Sequence, residues 1–76
     1  MLGSNQLTEV PEFINGCRSL EFLSLNDNPL RVIPKFLLNI NSLKELVIDS
    51  AQKRCLRHNM INQIASKGIS IKVLDI

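Results

Sequence analysis

The chain has no tryptophan and no tyrosine, and only three phenylalanines among 76 residues. Its interior must therefore be built from branched aliphatic side chains rather than large rings. A single histidine, His58, leaves no partner for a second base, and none of Ser50, Ser66 and Ser70 sits in a nucleophile elbow. Three glycines form no phosphate-cradling loop, and two cysteines form no paired-cysteine zinc pattern. Cys17 and Cys55 are also too few for a disulfide-stapled secreted scaffold, so reduced, buried thiols in a cytosolic protein are expected. No basic segment precedes an apolar signal core, and no apolar run is long enough to span a bilayer. Secretion as an effector by an unusual route stays open.

The length allows one domain with little interior to spare. Ordering each residue costs roughly 1.5 kcal/mol, so nearly every large apolar side chain must pack well. The net charge of +2 is too small to imply nucleic acid by itself, but it is unevenly spread. Residues 1–49 carry four cations against six carboxylates, net −2, and residues 50–76 carry five against one, net +4. That polarity is of the kind that orients a partner or another copy of the chain.

What the sequence does have is a hydrophobic comb. Leu20, Leu23, Leu25, Asn28, Leu30, Ile33 and Pro34 form its clearest copy, and Leu43, Leu46 and Ile48 begin the next one 23 residues later. Leu2, Asn5, Leu7, Val10 and Pro11 finish an earlier copy. Such a period implies stacked short units, each burying an apolar edge on its neighbours. Leu23 with Leu25, and Leu46 with Ile48, have the period-two spacing of strands with one buried face. Asn28 and Asn5 fall where each strand must turn, and their amides can satisfy backbone groups that a turn leaves unpaired. Ile33-Pro34 and Val10-Pro11 suit an irregular or short 3₁₀ return better than a long helix, because proline has no N–H to donate.

After Ile48 the pattern changes. Ala51 stands where the comb has asparagine, and from Ala51 to Lys67 the apolar spacing is helical: Cys55, Leu56, Met60, Ile61, Ile64 and Ala65. Asp49 or Ser50 can cap that helix and Gly68 can end it. Ile69 to Val73 then reads as a last strand, and Met1 to Gly3 as a possible first.

The run Leu20-x-x-Leu23-x-Leu25-x-x-Asn28-x-Leu30-x-x-Ile33-Pro34 resembles the leucine-rich repeat, over Leu2 to Ile48 with a divergent unit or cap through Ile76. The resemblance implies an α/β fold, a short leucine-rich-repeat solenoid of about three units with parallel strands and a C-terminal helix followed by a strand. It implies a single domain over 1–76, with regular repeats in 1–50 and a final unit or cap in 51–76. Leu20, Leu23, Leu25, Leu30 and Ile33 then become core, and Asn28 and Asn5 ladder residues. The exposed concave positions become Phe22, Ser24, Asn26, Glu45, Val47 and Asp49. Family members mostly bind other proteins through that face. The departures are the small number of units, the lack of cysteine-bearing end caps, and Ala51 in place of asparagine, which is expected to weaken the last turn.

Phe22 has the opposite strand parity to Leu23 and is expected to face outward, either across a neighbouring strand or as a partner-facing anchor. Asp27, Glu45 and Asp49 lack a histidine and do not form a calcium loop, so solvated or partner-pairing carboxylates are expected rather than a metal site. Lys53, Arg54, Arg57 and His58 are read chiefly as a solvated helix face, with phosphate, an acidic partner or lipid headgroups as the alternative. Cys55 and His58 are expected on different helix faces. Neither an enzyme, a cofactor nor a metal is indicated.

The expected function is that of a small intracellular protein-interaction module, as adaptor, effector or regulatory protein, binding through its strand face or an open end. The alternative is a structural, self-assembling repeat fragment or cap without a separate ligand. Expected partners are another protein or a homo-oligomer, with nucleic acid disfavoured and no transmembrane insertion. Leu2, at the uncapped start of the comb, is the candidate assembly end.

Overall fold

In the computed structural model, which describes residues 6–75, the alternating leucines become the buried face of a sheet. Its strands are β1 (Phe22–Ser24), β2 (Glu45–Ile48) and β3 (Ser70–Val73), in the order β1-β2-β3 and parallel throughout. Phe22 pairs with Glu45, and Glu45 with Ser70, so Leu23, Leu46 and Ile71 form one row across the inner face. The first pairing keeps the 23-residue spacing of the comb. Leu25 extends the ladder by donating its N–H to the Val47 carbonyl at 2.7 Å. Leu23, Leu25, Leu46 and Ile48 are all buried, each worth roughly 1.5–3 kcal/mol in removed apolar surface.

The prolines act as expected. Pro11 and Pro34 each precede a 3₁₀ turn, Glu12–Gly16 and Lys35–Asn39. The two turns copy one another bond for bond. Ile14 N–H donates to the Pro11 carbonyl at 3.2 Å and Leu37 N–H to the Pro34 carbonyl at 3.3 Å. Cys17 and Ile40 then donate to Ile14 and Leu37. Ile14 and Leu37 enter the core with Val10, Ile33, Ile40 and Leu43.

The expected single helix over 51–67 is instead two, α1 (Ser50–Arg54) and α2 (His58–Ser66). Asp49 caps α1 in a reciprocal box: its carboxylate accepts from Gln52 N–H at 2.8 Å, and the Gln52 side-chain oxygen accepts from Asp49 N–H at 3.0 Å. At the end of α2, Gly68 adopts φ 77°. Its N–H donates to the Ala65 carbonyl at 3.0 Å and that of Ile69 to the Ile64 carbonyl at 3.2 Å. This double bond pattern terminates a helix where a left-handed residue follows it, and it delivers buried Ile69 to the start of β3.

The solenoid expected from the leucine-rich-repeat resemblance is corrected by this architecture. The fold is a small mixed α/β domain with a flat three-stranded parallel sheet and short helices, without the curvature a leucine-rich-repeat solenoid requires. A solenoid needs every unit to repeat both its strand and its return. Here the return from β1 to β2 is a 3₁₀ turn, whereas that from β2 to β3 is a pair of α-helices. The register step also lengthens, from 23 residues between Phe22 and Glu45 to 25 between Glu45 and Ser70. The comb marked a parallel sheet, not an extended stack.

A further correction concerns the thiols. Both are free, but Cys55 is exposed and Cys17 only partly buried. Cys55 falls at the break between the helices, so it does not join the apolar face of Met60 and Ile64. The first strand proposed over Met1 to Gly3, the ladder role of Asn5 and the assembly role of Leu2 lie outside the described residues.

Candidate functional site

Strand parity sends Phe22, Ser24, Glu45, Val47, Ser70 and Lys72 to the face opposite the core. The register arranges them in two rows, Phe22-Glu45-Ser70 and Ser24-Val47-Lys72. Phe22 is 59% exposed, while Ser24 and Glu45 are half-buried. Val47, expected to be exposed, is only 9% so because it occupies the central strand between Ser24 and Lys72. The apolar patch therefore centres on Phe22 rather than on a Phe22–Val47 pair.

Asn26 and Asp49, the other two expected surface positions, serve the fold. Asn26 is 5% exposed, and its carbonyl accepts from the Asn28 side-chain amide at 3.3 Å. Both Asp49 oxygens are committed to backbone: one caps Gln52, and the other accepts from Asp27 N–H at 2.9 Å. Asp27 sits at φ 61°, a left-handed conformation that aspartate tolerates better than most residues. The side-chain bond from Asp49 ties that turn to the start of α1.

Beneath this edge runs a buried polar column. Asn28 accepts from Leu7 N–H at 3.1 Å and donates to the Leu25 carbonyl at 2.9 Å. Gln52, 1% exposed, donates to the Leu25 carbonyl at 2.6 Å and the Asn28 carbonyl at 3.0 Å. The expected weak turn at Ala51 is thus repaired one residue later. Glutamine's extra methylene and the helical start of α1 let its amide reach across to the preceding turn. The comb gave no sign of this, but a glutamine three residues after Asp49 is a capping-box signal.

Just before β1 and β2, Glu21 accepts from Lys44 at 2.8 Å, with both side chains exposed. The hydrogen bond to Glu21, and then its charge, raise the Lys44 pKa above the usual 10.5. On the other side of the molecule Asp75 accepts from Ser50 N–H at 2.8 Å and Ser50 Oγ at 2.6 Å. These bonds hold its carboxyl below the ordinary 3.8, with Arg54 adding a smaller pull in the same direction.

Lys53, Arg54, Arg57 and His58 are all exposed, the first two in the last turn of α1. Among the described residues, no three His, Cys, Asp or Glu side chains are disposed to hold a metal ion. Three exposed apolar side chains escaped the sequence reading, Phe13, Val32 and Leu74. Phe13 had a visible signal: Pro11-x-Phe13-Ile14 recurs 23 residues later as Pro34-x-Phe36-Leu37. Phe36 packs partly against the core while Phe13, one turn earlier in the stack, does not. Among the described residues no helix is long and apolar enough to cross a membrane.

Geometrically, then, the chain offers a sheet face with one aromatic side chain among carboxylate, hydroxyl and ammonium groups. It matches no family model, no curated protein and no solved structure, so its relation to the leucine-rich-repeat family goes no further than the sequence pattern.

Proposed function

We propose that the chain is an intracellular protein-interaction module, acting as adaptor, effector or regulatory protein, that recognises its partner with the open face of the sheet. The observation that carries this reading is Phe22, a large apolar side chain left mostly in solvent by a chain with few aromatics. Ser24 and Glu45 beside it supply polar rim groups, with Val47 as the floor. An aromatic anchor inside a polar rim is the usual form of a small binding hot spot. Asp49 and Asn26 contribute by holding the adjoining turn. The absence of an enzymatic role belongs to the same proposal.

The test is a photo-crosslinking amino acid placed at Phe22 or, as control, at Phe13, in cells of the native source. A discrete protein adduct from position 22 and not from position 13 supports the reading. Equal adducts, or none from position 22, contradict it.

The assembly reading retains one observation of its own. β3 is the terminal strand of the described sheet, and Val73 and Leu74 beside its open edge are exposed. Unprotected edges favour pairing with another chain. Sedimentation of wild type and Val73→Lys separates the two. A concentration-dependent dimer lost on substitution favours assembly, and a monomer in both cases favours recognition by the sheet face.

A further inference from the structure

A second surface lies away from the sheet, where the strand-free segment after Leu30 meets the junction of the two helices. It is a groove of about 420 Å³, within the range of ligand-binding clefts. Val32, Leu56 and Met60 give it an apolar lining, and Arg31, Lys35 and Arg57 add three cations. No carboxylate lines it. None of the three cations is ion-paired among the described residues, where Lys44–Glu21 is the one salt bridge. Val32 is among the most exposed apolar side chains of the chain, whereas Met60 is buried. An occupant must therefore match an apolar lining and neutralise unpaired positive charge together.

We propose that this groove binds an acidic peptide segment of a partner protein, seating one apolar side chain on Val32, Leu56 and Met60 with flanking carboxylates against Arg31, Lys35 and Arg57. Charge complementarity selects the carboxylates, and the apolar lining selects a peptide that brings a hydrophobic residue with them. Nucleic acid fits less well, because no aromatic ring lines the groove for a base to stack on. This site is independent of the sheet face, since none of its lining residues lies in a strand.

The test titrates the whole chain with a fluorescent peptide that has a leucine-phenylalanine centre between glutamates, beside the same peptide carrying glutamines. The glutamate peptide is expected to bind about tenfold more tightly or better, and to weaken with salt. Arg57→Glu and Lys35→Glu are each expected to weaken it about tenfold. Both side chains are exposed, and Arg57 makes no side-chain cap to α2, so circular dichroism is expected to match wild type. Phe22→Ala is expected to leave this binding unchanged. In a Cys17→Ser background the bound peptide is expected to slow alkylation of Cys55, which also lines the groove. Equal binding of the two peptides, tighter binding of a thymidine oligonucleotide, unprotected Cys55, or loss on Phe22→Ala would each overturn the proposal.

Discussion

The two connections of this sheet solve one problem in different ways. Both must carry the chain from the end of one strand back to the start of the next, parallel strand. From β1 to β2 the path uses a buried asparagine, a proline and a single 3₁₀ turn. From β2 to β3 it uses a capping aspartate, a buried glutamine and two α-helices. Both place a buried amide on the Leu25 carbonyl just past β1, Asn28 from within the first return and Gln52 reaching back from the second. The difference lies in how the rest of the return covers the core, and it is enough to end the repeat.

That comparison is broken most severely at Gln52. Gln52→Leu fills similar volume but removes one of two donors from each of the Leu25 and Asn28 carbonyls, and the acceptor of the Asp49 N–H. The expected cost is roughly 2–4 kcal/mol in urea unfolding. Moving the amide back to the comb's position, in the double variant Ala51→Asn with Gln52→Ala, is expected not to restore stability, because asparagine at 51 cannot complete the box with Asp49. Recovery to wild-type stability would mean that the two returns are interchangeable.

Asp49→Ala is the next largest effect. It removes the α1 cap and the acceptor for Asp27 N–H together, for about 1–2 kcal/mol by the same measurement. Smaller still is the contrast between two glycines. Gly68 at φ 77° has nothing within 4 Å of an added Cβ, so Gly68→Ala costs only backbone strain, about 1 kcal/mol. Gly16, in the first 3₁₀ turn and also open to an added Cβ, has no positive φ. Its replacement by alanine is expected to be neutral or slightly stabilising in thermal melts.

The smallest effect concerns pH. The folded pKa of Asp75 lies below its ordinary 3.8, so its contribution is present above that value and fades as pH falls through the lowered folded one. Asp75→Asn is expected to flatten the acid end of the stability profile and leave its neutral-to-alkaline shape unchanged. Lys44 has the opposite sign. Its pKa is raised above 10.5, so its contribution is present below that value and is lost as pH climbs through the raised one. An acid limb unchanged by Asp75→Asn would remove the Ser50–Asp75 tie from the account.

Legibility in the sequence followed the local rules. Leu23, Leu25, Leu46 and Ile48 were readable because period-two burial is written directly in strands. Pro11 and Pro34 were readable because a missing donor marks a return, and Gly68 because only a few residues accept a left-handed helix end. Val47 and Asn26 were misjudged for exposure because parity tells which face a residue occupies, not how closely its neighbours cover it. The helix break at Cys55 was hidden because the apolar spacing on either side of it is continuous. The curvature expected of a solenoid failed for a global reason: it depends on every return being alike, and the return from β2 to β3 differs from that between β1 and β2. On the candidate surface, Phe22 was found from parity alone. The groove between Arg31 and Arg57 was not, since it joins segments far apart in sequence.

All of these readings depend on three parallel strands in the register Phe22–Glu45–Ser70. Cross-strand nuclear Overhauser contacts in uniformly labelled protein measure that register directly. The account expects parallel-type backbone contacts linking Leu23 to Leu46 and Leu46 to Ile71. Antiparallel contacts, a shifted register, or a β3 detached from β2 would contradict it and dissolve the surface around Phe22.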